Sequence, residues 1–281
     1  MPFKVTVVID NCVPTHSGLP FLAEHGLAML VETGKSRLLL DTGQTAAILN
    51  NLSLLGVAPD SIDAIALSHG HYDHTGGLFY LLKHAAKRTP VFTHEDAFAE
   101  HCSLARGQRR FIGIPYRKEQ LTSLGADWKT IRHPQEIFPQ IWISGSVPRQ
   151  TDFETGDAKL VVHNAAEHCD CQDELDDDMA LFIDSGKGLV VVSGCTHAGL
   201  VNMVEYGLKV TGCRQLHGWI GGTHLGPLTR EQQEQTIARL QAFQPEFVAA
   251  NHCTGFPMMA RLQQVFGERF IPAFVGTSIQ F

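Results

Sequence analysis

The hydrophobic and polar positions along the chain predict strands and helices in alternation. Apolar positions at helical spacing predict helices over 77–87, 95–102, 200–208, 230–243 and 258–266. Thr229, with Gln232 three residues later, is typical of a helix N-cap. Short apolar runs rich in β-branched residues predict strands at 5–9, 27–32, 37–40, 62–67, 90–93, 137–143, 159–162, 179–183, 189–192, 215–220, 246–250 and 270–275.

The connections between these elements predict how the strands pair. A short turn at 33–36 favours antiparallel pairing of the first strands, whereas helices between the later strands favour crossovers. Strands of both kinds with helices outside predict two packed sheets flanked by helices, an α/β (α+β) fold. No repeat or low-complexity linker interrupts residues 1–281, which predicts a single domain. The polar stretch 104–135 predicts an irregular insertion over one face.

The composition narrows the set of partners. The formal net charge of −7 disfavours a nucleic-acid partner, because binding a polyanion needs a basic face. No apolar run approaches the roughly 18 residues that span a bilayer, so no membrane partner is expected. Seven cysteines, an odd number, without a secretory signal at the start, favour reduced thiols and a cytoplasmic location. The oligomeric state stays open.

The candidate chemistry is concentrated just after the strand predicted at 62–67. Three histidines and one aspartate follow in the run Ser-His-Gly-His-Tyr-Asp-His at 68–74. Alternate residues of an extended segment point to one side, so His69 and His71 can bind one metal ion. Asp73 and His74, at the turn into the next helix, can reach a second ion. This mixture of imidazole and carboxylate ligands suits zinc. The alternative is a polar loop that happens to be rich in histidine, and the flanking strand and helix disfavour it.

The pattern His-x-His-x-Asp-His resembles the signature of the metallo-β-lactamase superfamily, whose fold is a four-layered αββα sandwich. The resemblance implies that Asp41, after the apolar run 38–40, supports the site loop without binding metal; the alternative is a turn residue. It also implies ligands at two later strand ends. These are Cys195, where the superfamily's usual aspartate stands, and His252. For Cys195 the alternative is a small buried hydrophobe.

One superfamily ligand, a middle histidine, has no clean equivalent in this sequence. His168 is poorly spaced for it, and Asp178 lies in the acidic run 173–178, most of which is typical of a solvated loop. His197 and His224 each fit an active site and a satisfied surface position equally well. We expect two zinc ions, and a missing middle ligand would leave one of the two sites weak or empty.

Several segments resemble one branch of the superfamily, the dihydropterin-synthase-like proteins. This resemblance implies a zinc-dependent enzyme, either a hydrolase or a pterin-synthase-type transferase, that acts on a small anionic substrate, phosphorylated or pterin-like. The Gly-Cys-Thr-His run at 194–197 and the His-Cys-Thr-Gly run at 252–255 point to the branch. The other segments that carry the resemblance are 8–11, 24–27, 144–149 and 221–225.

The expected mechanism follows from zinc chemistry. Zinc lowers the pKa of a bound water to about 7, so that hydroxide is available at neutral pH. Asp73 is the expected catalytic residue, which would orient this nucleophile and accept its proton. Arg109 and Arg110 are expected to bind a phosphate or carboxylate of the substrate, since arginine binds both well; a solvated loop is the alternative.

Two other functions compete with this interpretation. The first is a nuclease or phosphodiesterase of the same superfamily, which the acidic charge balance disfavours. The second is a catalytically inactive metal-binding sensor, which the retention of all four motif residues disfavours.

Overall fold

A computed structural model describes residues 2–105, 107–164 and 169–281. The helices of these ranges are α1 (Ala47–Leu54), α2 (Tyr72–Thr75), α3 (Leu78–Ala85), α4 (Lys118–Ser123), α5 (Leu200–Thr211), α6 (Arg230–Ala242) and α7 (Gly255–Phe266). The strands are β1 (Lys4–Ile9), β2 (Ala28–Glu32), β3 (Arg37–Leu40), β4 (Ala64–Ala66), β5 (Thr89–Thr93), β6 (His101–Ala105), β7 (Gln108–Phe111), β8 (Ala126–Thr130), β9 (Gln135–Phe138), β10 (Ile141–Ile143), β11 (Leu160–Asn164), β12 (Cys169–Gln172), β13 (Ala180–Asp184), β14 (Leu189–Ser193), β15 (Leu216–Gly222), β16 (Phe247–Asn251), β17 (Phe270–Pro272) and β18 (Ser278–Gln280).

The strands form two large sheets and a small one. The first sheet has the order β18-β1-β2-β3-β4-β5-β8, and the second has the order β17-β16-β15-β14-β13-β10-β9. Each large sheet is antiparallel on one side and parallel on the other, as the turn and crossover pattern predicts. The predicted turn at 33–36 is confirmed, because Thr33 N–H donates to Ser36 O at 2.9 Å between the antiparallel strands β2 and β3. The small sheet has the order β12-β11-β6-β7.

The two large sheets pack face to face, with helices on their outer faces. Leu40 of the first sheet and Val192 of the second belong to the same buried cluster between the sheets. The neighbouring Leu39 points the other way, into a cluster with helices α1 and α3, because successive strand residues face opposite sides. Helices α5, α6 and α7 cover the outer face of the second sheet. The predicted αββα sandwich is therefore confirmed, and burial of each leucine contributes roughly 1.5–3 kcal/mol.

The sequence patterns misassign several segments in and around the small sheet, although its strand β11 lies where a strand was predicted at 159–162. The helix predicted at 95–102 is wrong: a short 3-10 turn, Glu95–Phe98, is followed by β6. The stretch 104–135, predicted to be irregular, contains β7, α4 and β8. All four residues of β7 are exposed, so this strand has no apolar alternation and is held by its antiparallel pairing with β6. Helix α1 was not predicted.

Other predictions hold at the level of single elements. The N-cap at Thr229 is confirmed, because its hydroxyl accepts the N–H of Gln232, and the Gln232 side chain accepts the N–H of Thr229. The strand predicted at 137–143 is instead two strands, β9 and β10, joined by a turn in which Gln140 has a φ of 67°. No helix within the described ranges is long and apolar enough to cross a bilayer.

Candidate metal centre

The candidate ligands lie just beyond the carboxyl ends of parallel strands in both large sheets. The run 69–74 follows β4, His197 follows β14 two residues after Cys195, and His252 follows β16. The parallel halves of the two sheets end at the same edge of the sandwich. Side chains that are nearly two hundred residues apart in the sequence therefore meet there, in the position where α/β sheets bind their ligands.

One group of possible ligands consists of three imidazoles. The nitrogens of His69, His71 and His197 lie within 4.8 Å of one another, and His69 Nε2 is 2.9 Å from His71 Nδ1. All three side chains are buried, and Nε2 of His197 has no hydrogen-bond partner. His197, which the sequence left open between an active site and a surface position, is thus the third imidazole of this group.

A second group surrounds His74. Its Nε2 atom lies 3.2 Å from both Cys195 Sγ and His252 Nε2. The carboxylate of Asp73 is close by, with Oδ2 3.4 Å from His252 Nε2. Cys195 belongs to two further groups of possible ligands, one with His69 and His74 and the other with His197 and His224. Its sulfur therefore lies between the two candidate metal positions.

The outer ring nitrogens of three histidines are already hydrogen-bonded. Nδ1 of His69 contacts Ser68 Oγ at 2.9 Å, Nδ1 of His74 contacts Asp41 Oδ2 at 2.7 Å, and Nδ1 of His252 contacts Asn11 Oδ1 at 2.9 Å. Each contact fixes the ring and leaves Nε2 facing the centre of the site. Metal-binding histidines are oriented in this way by a partner on the other nitrogen.

Three buried carboxylates hold the backbone of the ligand loops. Asp41 Oδ1 accepts the N–H of Ser68, Asp177 Oδ2 accepts the N–H of Gly70, and Asp10 Oδ1 accepts the N–H of His252, each at 2.7 Å. This arrangement fits the supporting role predicted for Asp41. The supporting roles of Asp10 and Asp177 were not predicted. In the sequence, Asp10 lies in the segment 8–11, which carries the resemblance to the branch, and Asp177 lies in the acidic run 173–178. Neither position by itself indicates a supporting role.

The electrostatic environment favours the neutral form of the three histidines of the first group. Burial lowers the pKa of His71 to about 3. Burial and the neighbouring imidazoles also hold the pKa values of His69 and His197 well below their usual range. Burial alone would raise the pKa of Asp73, but His74, His25 and His252 outweigh it and hold this pKa well below its usual range. Neutral imidazoles beside a carboxylate and a sulfur form a donor set that fits zinc.

Strained backbone is concentrated in the loops that carry these residues. Asp41, Thr196, His224 and His252 have φ values of 60°, 68°, 46° and 49°, a region that residues other than glycine rarely adopt. Each such residue costs on the order of 1–3 kcal/mol, which the surrounding structure must offset. Strain of this kind is common where side chains are held for a function.

A cavity of about 170 Å³ opens onto the candidate ligands. The small sheet covers it with Ser103 of β6, Arg110 of β7 and Leu160 of β11, and Ile112 completes this wall. The guanidinium of Arg110 lies 5.3 Å from the ring centroid of Tyr72, which also lines the cavity. The cavity therefore combines candidate metal ligands, a positive charge and an apolar wall.

The two arginines predicted to bind the substrate have separate surroundings. Arg109 does not line the cavity, and its guanidinium is paired with Asp170 at 2.9 Å and Glu100 at 2.8 Å. These hydrogen bonds raise the pKa of Arg109 above its usual value. Arg109 and Arg110 have different surroundings because successive residues of β7 point to opposite faces of the small sheet. Only the prediction for Arg110 is compatible with its position.

The remaining predicted site residues are distributed as follows. His224 is grouped with Cys195 and His197 and approaches Asp157, with 3.9 Å between Nε2 and Oδ2. Asp178 belongs to none of the possible metal groups found among the described residues; its Oδ2 accepts the N–H of Ala198 at 2.7 Å. Asp178 thus supports the loop that carries His197. His168 lies outside the described residues.

Replacing Asp178 by asparagine should leave zinc binding intact and change the pH dependence of stability. Burial raises the pKa of Asp178 from 3.8 to about 8. The folded state thus binds a proton that the unfolded state has lost, so this group lowers the free energy of unfolding as pH rises from about 4 to about 8. Asparagine does not titrate. Chemical denaturation of the metal-free proteins should show the variant gaining up to about 1.4 kcal/mol per pH unit over the wild type in this window. A constant difference, or loss of zinc in the variant, would contradict the supporting role.

Comparison with known proteins identifies the class. Residues 23–166 match the family model of the metallo-beta-lactamase superfamily. The chain is similar in fold to a crystal structure of a metal-dependent hydrolase of the beta-lactamase superfamily, with a TM-score of 0.84 and 23% identity over 99% of this chain and 98% of the other. The chain therefore belongs to the metallo-β-lactamase superfamily.

Two relatives from Methanocaldococcus jannaschii match nearly the whole chain. One is 7,8-dihydropterin-6-methyl-4-(beta-D-ribofuranosyl)-aminobenzene-5'-phosphate synthase, 34% identical over 93% of this chain and 92% of the relative. The other, described as an uncharacterized protein, is 32% identical over 98% of this chain and 99% of its own length. The resemblance to the dihydropterin-synthase-like branch is thus confirmed.

Proposed function

We propose that this protein is a zinc-dependent enzyme that acts on a small anionic substrate, phosphorylated or pterin-like. One observation carries the proposal: the ligand cluster and Arg110 line the same cavity. The similarity to a synthase named for a dihydropterin phosphate product supports this substrate class. The reaction is a hydrolysis or a related group transfer at this site.

The residues that would hold the two zinc ions form two sets that share Cys195. His69, His71 and His197 would bind the first ion, and Asp73, His74 and His252 would bind the second, with the sulfur of Cys195 between them. When bound, zinc supplies Lewis acidity and lowers the pKa of a coordinated water to about 7. Nε2 of His197 is buried without a partner, and a metal ion would provide one.

The other residues of the cavity have roles that their positions support. The pKa of Asp73 is held well below its usual range, which favours the carboxylate form, and this carboxylate can orient an attacking water. Arg110 can bind a phosphate or carboxylate through two charge-assisted hydrogen bonds. Ile112 and Leu160 can pack against the planar part of a substrate and exclude water from it. His25, with Nε2 3.2 Å from Asp73 Oδ2, lies at the mouth of the cavity.

Metal removal tests the proposal with simple probe substrates. The purified protein should contain zinc, and it should hydrolyse 4-nitrophenyl phosphate or a phosphodiester analogue. Activity should disappear after chelation and return when zinc, but not magnesium, is added. A protein that binds no zinc, or whose activity survives complete zinc removal, would contradict the proposed function.

A further inference from the structure

Cys253 places a second sulfur atom at the metal centre. Its Sγ, the Sγ of Cys195 and a ring nitrogen of His252 all lie within 4.8 Å of one another. Cys253 is half-buried and lines the same cavity as Cys195. We infer that Cys253 binds the second zinc ion as a thiolate, so that this ion has two sulfur ligands. The inference rests on the proposed zinc function and assigns one more of its ligands.

The distances between these atoms are compatible with one tetrahedral ion. Zinc binds sulfur at about 2.3 Å and nitrogen at about 2.0–2.1 Å, so the ligand atoms of one ion lie roughly 3.4–3.8 Å apart. The group of Cys195, His252 and Cys253 reaches this spacing with small side-chain movements. His74 Nε2, which is 3.2 Å from both Cys195 Sγ and His252 Nε2, completes this set of four, so that Asp73 would orient the attacking water and would not bind this ion.

The backbone conformation explains how two adjacent residues can face one ion. Successive side chains of an extended strand point to opposite sides. Here β16 ends at Asn251, and His252 has a φ of 49° at the start of the 3-10 turn His252–Thr254. This turn brings the ligand atoms of His252 and Cys253 into one group. The strained conformation at His252 thus allows both side chains to face the same ion.

Two neighbouring residues, His224 and Gly222, hold the sulfur of Cys253 in its position. The backbone N–H of His224 donates to Cys253 Sγ at 3.2 Å, an interaction that stabilises a thiolate. Gly222, at the end of β15, leaves the necessary space, because a Cβ atom there would lie 2.6 Å from Cys253 Sγ. The N–H of His224 and the space left by Gly222 thus hold the sulfur atom in place, as neighbouring groups do for metal ligands.

Two thiolates would make the second position selective for soft metal ions. Each thiol releases its proton to solvent when its sulfur binds the metal, and the two negative charges offset the charge of the ion. Thiolate ligands favour zinc, cobalt and cadmium over magnesium and manganese. The site would then differ from one built from histidine and carboxylate alone.

Cobalt substitution counts the sulfur ligands directly. The zinc of the full-length protein is replaced by Co²⁺, and the thiolate-to-cobalt charge-transfer absorption in the near ultraviolet is measured per bound cobalt. Cys253→Ser should lower this absorption to about half to two thirds of the wild-type value, depending on whether Cys195 contacts one ion or both, and Cys253→Ala should do the same. Cys213→Ser, at a half-buried cysteine that follows α5, is the matched control and should leave it unchanged.

The possible outcomes separate this inference from the proposed function. If cobalt binds and Cys195→Ser abolishes the absorption while Cys253→Ser leaves it at the wild-type level, Cys253 is not a ligand and only the inference fails. If the wild-type protein binds neither zinc nor cobalt, the proposed function fails as well. Additive losses in the two single variants would support two sulfur ligands.

Discussion

Replacing His197 by alanine should remove roughly one zinc ion per chain, and replacing His71 should have the same effect. Both imidazoles belong to the three-histidine group with His69, so neither variant retains more than two of the three ligands. A position that loses one of three neutral nitrogen ligands binds zinc much more weakly, whereas the position around His74 keeps its own set. Zinc content, measured after extensive dialysis, should therefore fall to about half in both variants.

A control is needed because removing any histidine can disturb the fold. His84→Ala removes an exposed ring on α3 whose Nδ1 contacts the carbonyl of Tyr80, away from the candidate ligands, so the zinc content should not change. Circular dichroism should show the same secondary structure in all three variants, since the ligands lie in loops beyond the strands. Full zinc content in folded His197→Ala would show that the three histidines do not form one metal position.

Replacing Arg110 by alanine should lower kcat/KM by about 10- to 50-fold on 4-nitrophenyl phosphate, the loss typical of a charge-assisted contact to an anion. The same change at Arg109 should cost less than about 3-fold, because Arg109 is exposed and already paired with Asp170 and Glu100. The two arginines are adjacent in β7, so comparing the two variants tests only the direction in which each side chain points. Steady-state kinetics of both variants at matched zinc content provides the measurement.

A neutral substrate separates anion binding from general damage. On 4-nitrophenyl acetate, Arg110→Ala should behave like the wild type to within about 3-fold, because the missing charge no longer has a partner. Equal losses on the anionic and the neutral ester would mean that Arg110 supports the small sheet and does not bind the substrate. Equal losses for Arg109→Ala and Arg110→Ala would lead to the same conclusion.

The sequence predicts the sandwich well because its strands are buried on both faces. The run 38–40 is apolar throughout, and the structure places its leucines alternately in two different cores. Strand β7 of the small sheet was not predicted, for the opposite reason. Strand β7, with the sequence Gln-Arg-Arg-Phe, is exposed along its whole length and carries no periodic signal. Its strand conformation depends on a partner that only the tertiary structure supplies.

Part of the candidate site could likewise be predicted from the sequence, and part could not. The ligands within 69–74 share one short segment, so their spacing alone indicates that they act together. His197 and Asp177 depend on distant contacts. His197 follows β14 of the second sheet and can reach His69, which follows β4 of the first sheet, only when the two sheets pack face to face. Asp177 accepts the N–H of Gly70 from 107 residues away. Local patterns contain no such information. An alternation of strand and helix predicts which strand ends carry ligands, but it does not predict which ligands share one ion.

The pairing of β1 with β18 has a consequence for the kinetics of folding. Thr6 and Ser278 are joined by a side-chain hydrogen bond of 2.8 Å although 272 residues separate them. Until β18 arrives, β1 has an unpaired edge, which is a common starting point for aggregation. Contacts of such long range form late, because most of the chain must be ordered before they repay the entropy of closing the loop. The slow step of folding is therefore expected where the first and last strands meet, on the sheet that also carries the His-x-His-x-Asp-His run.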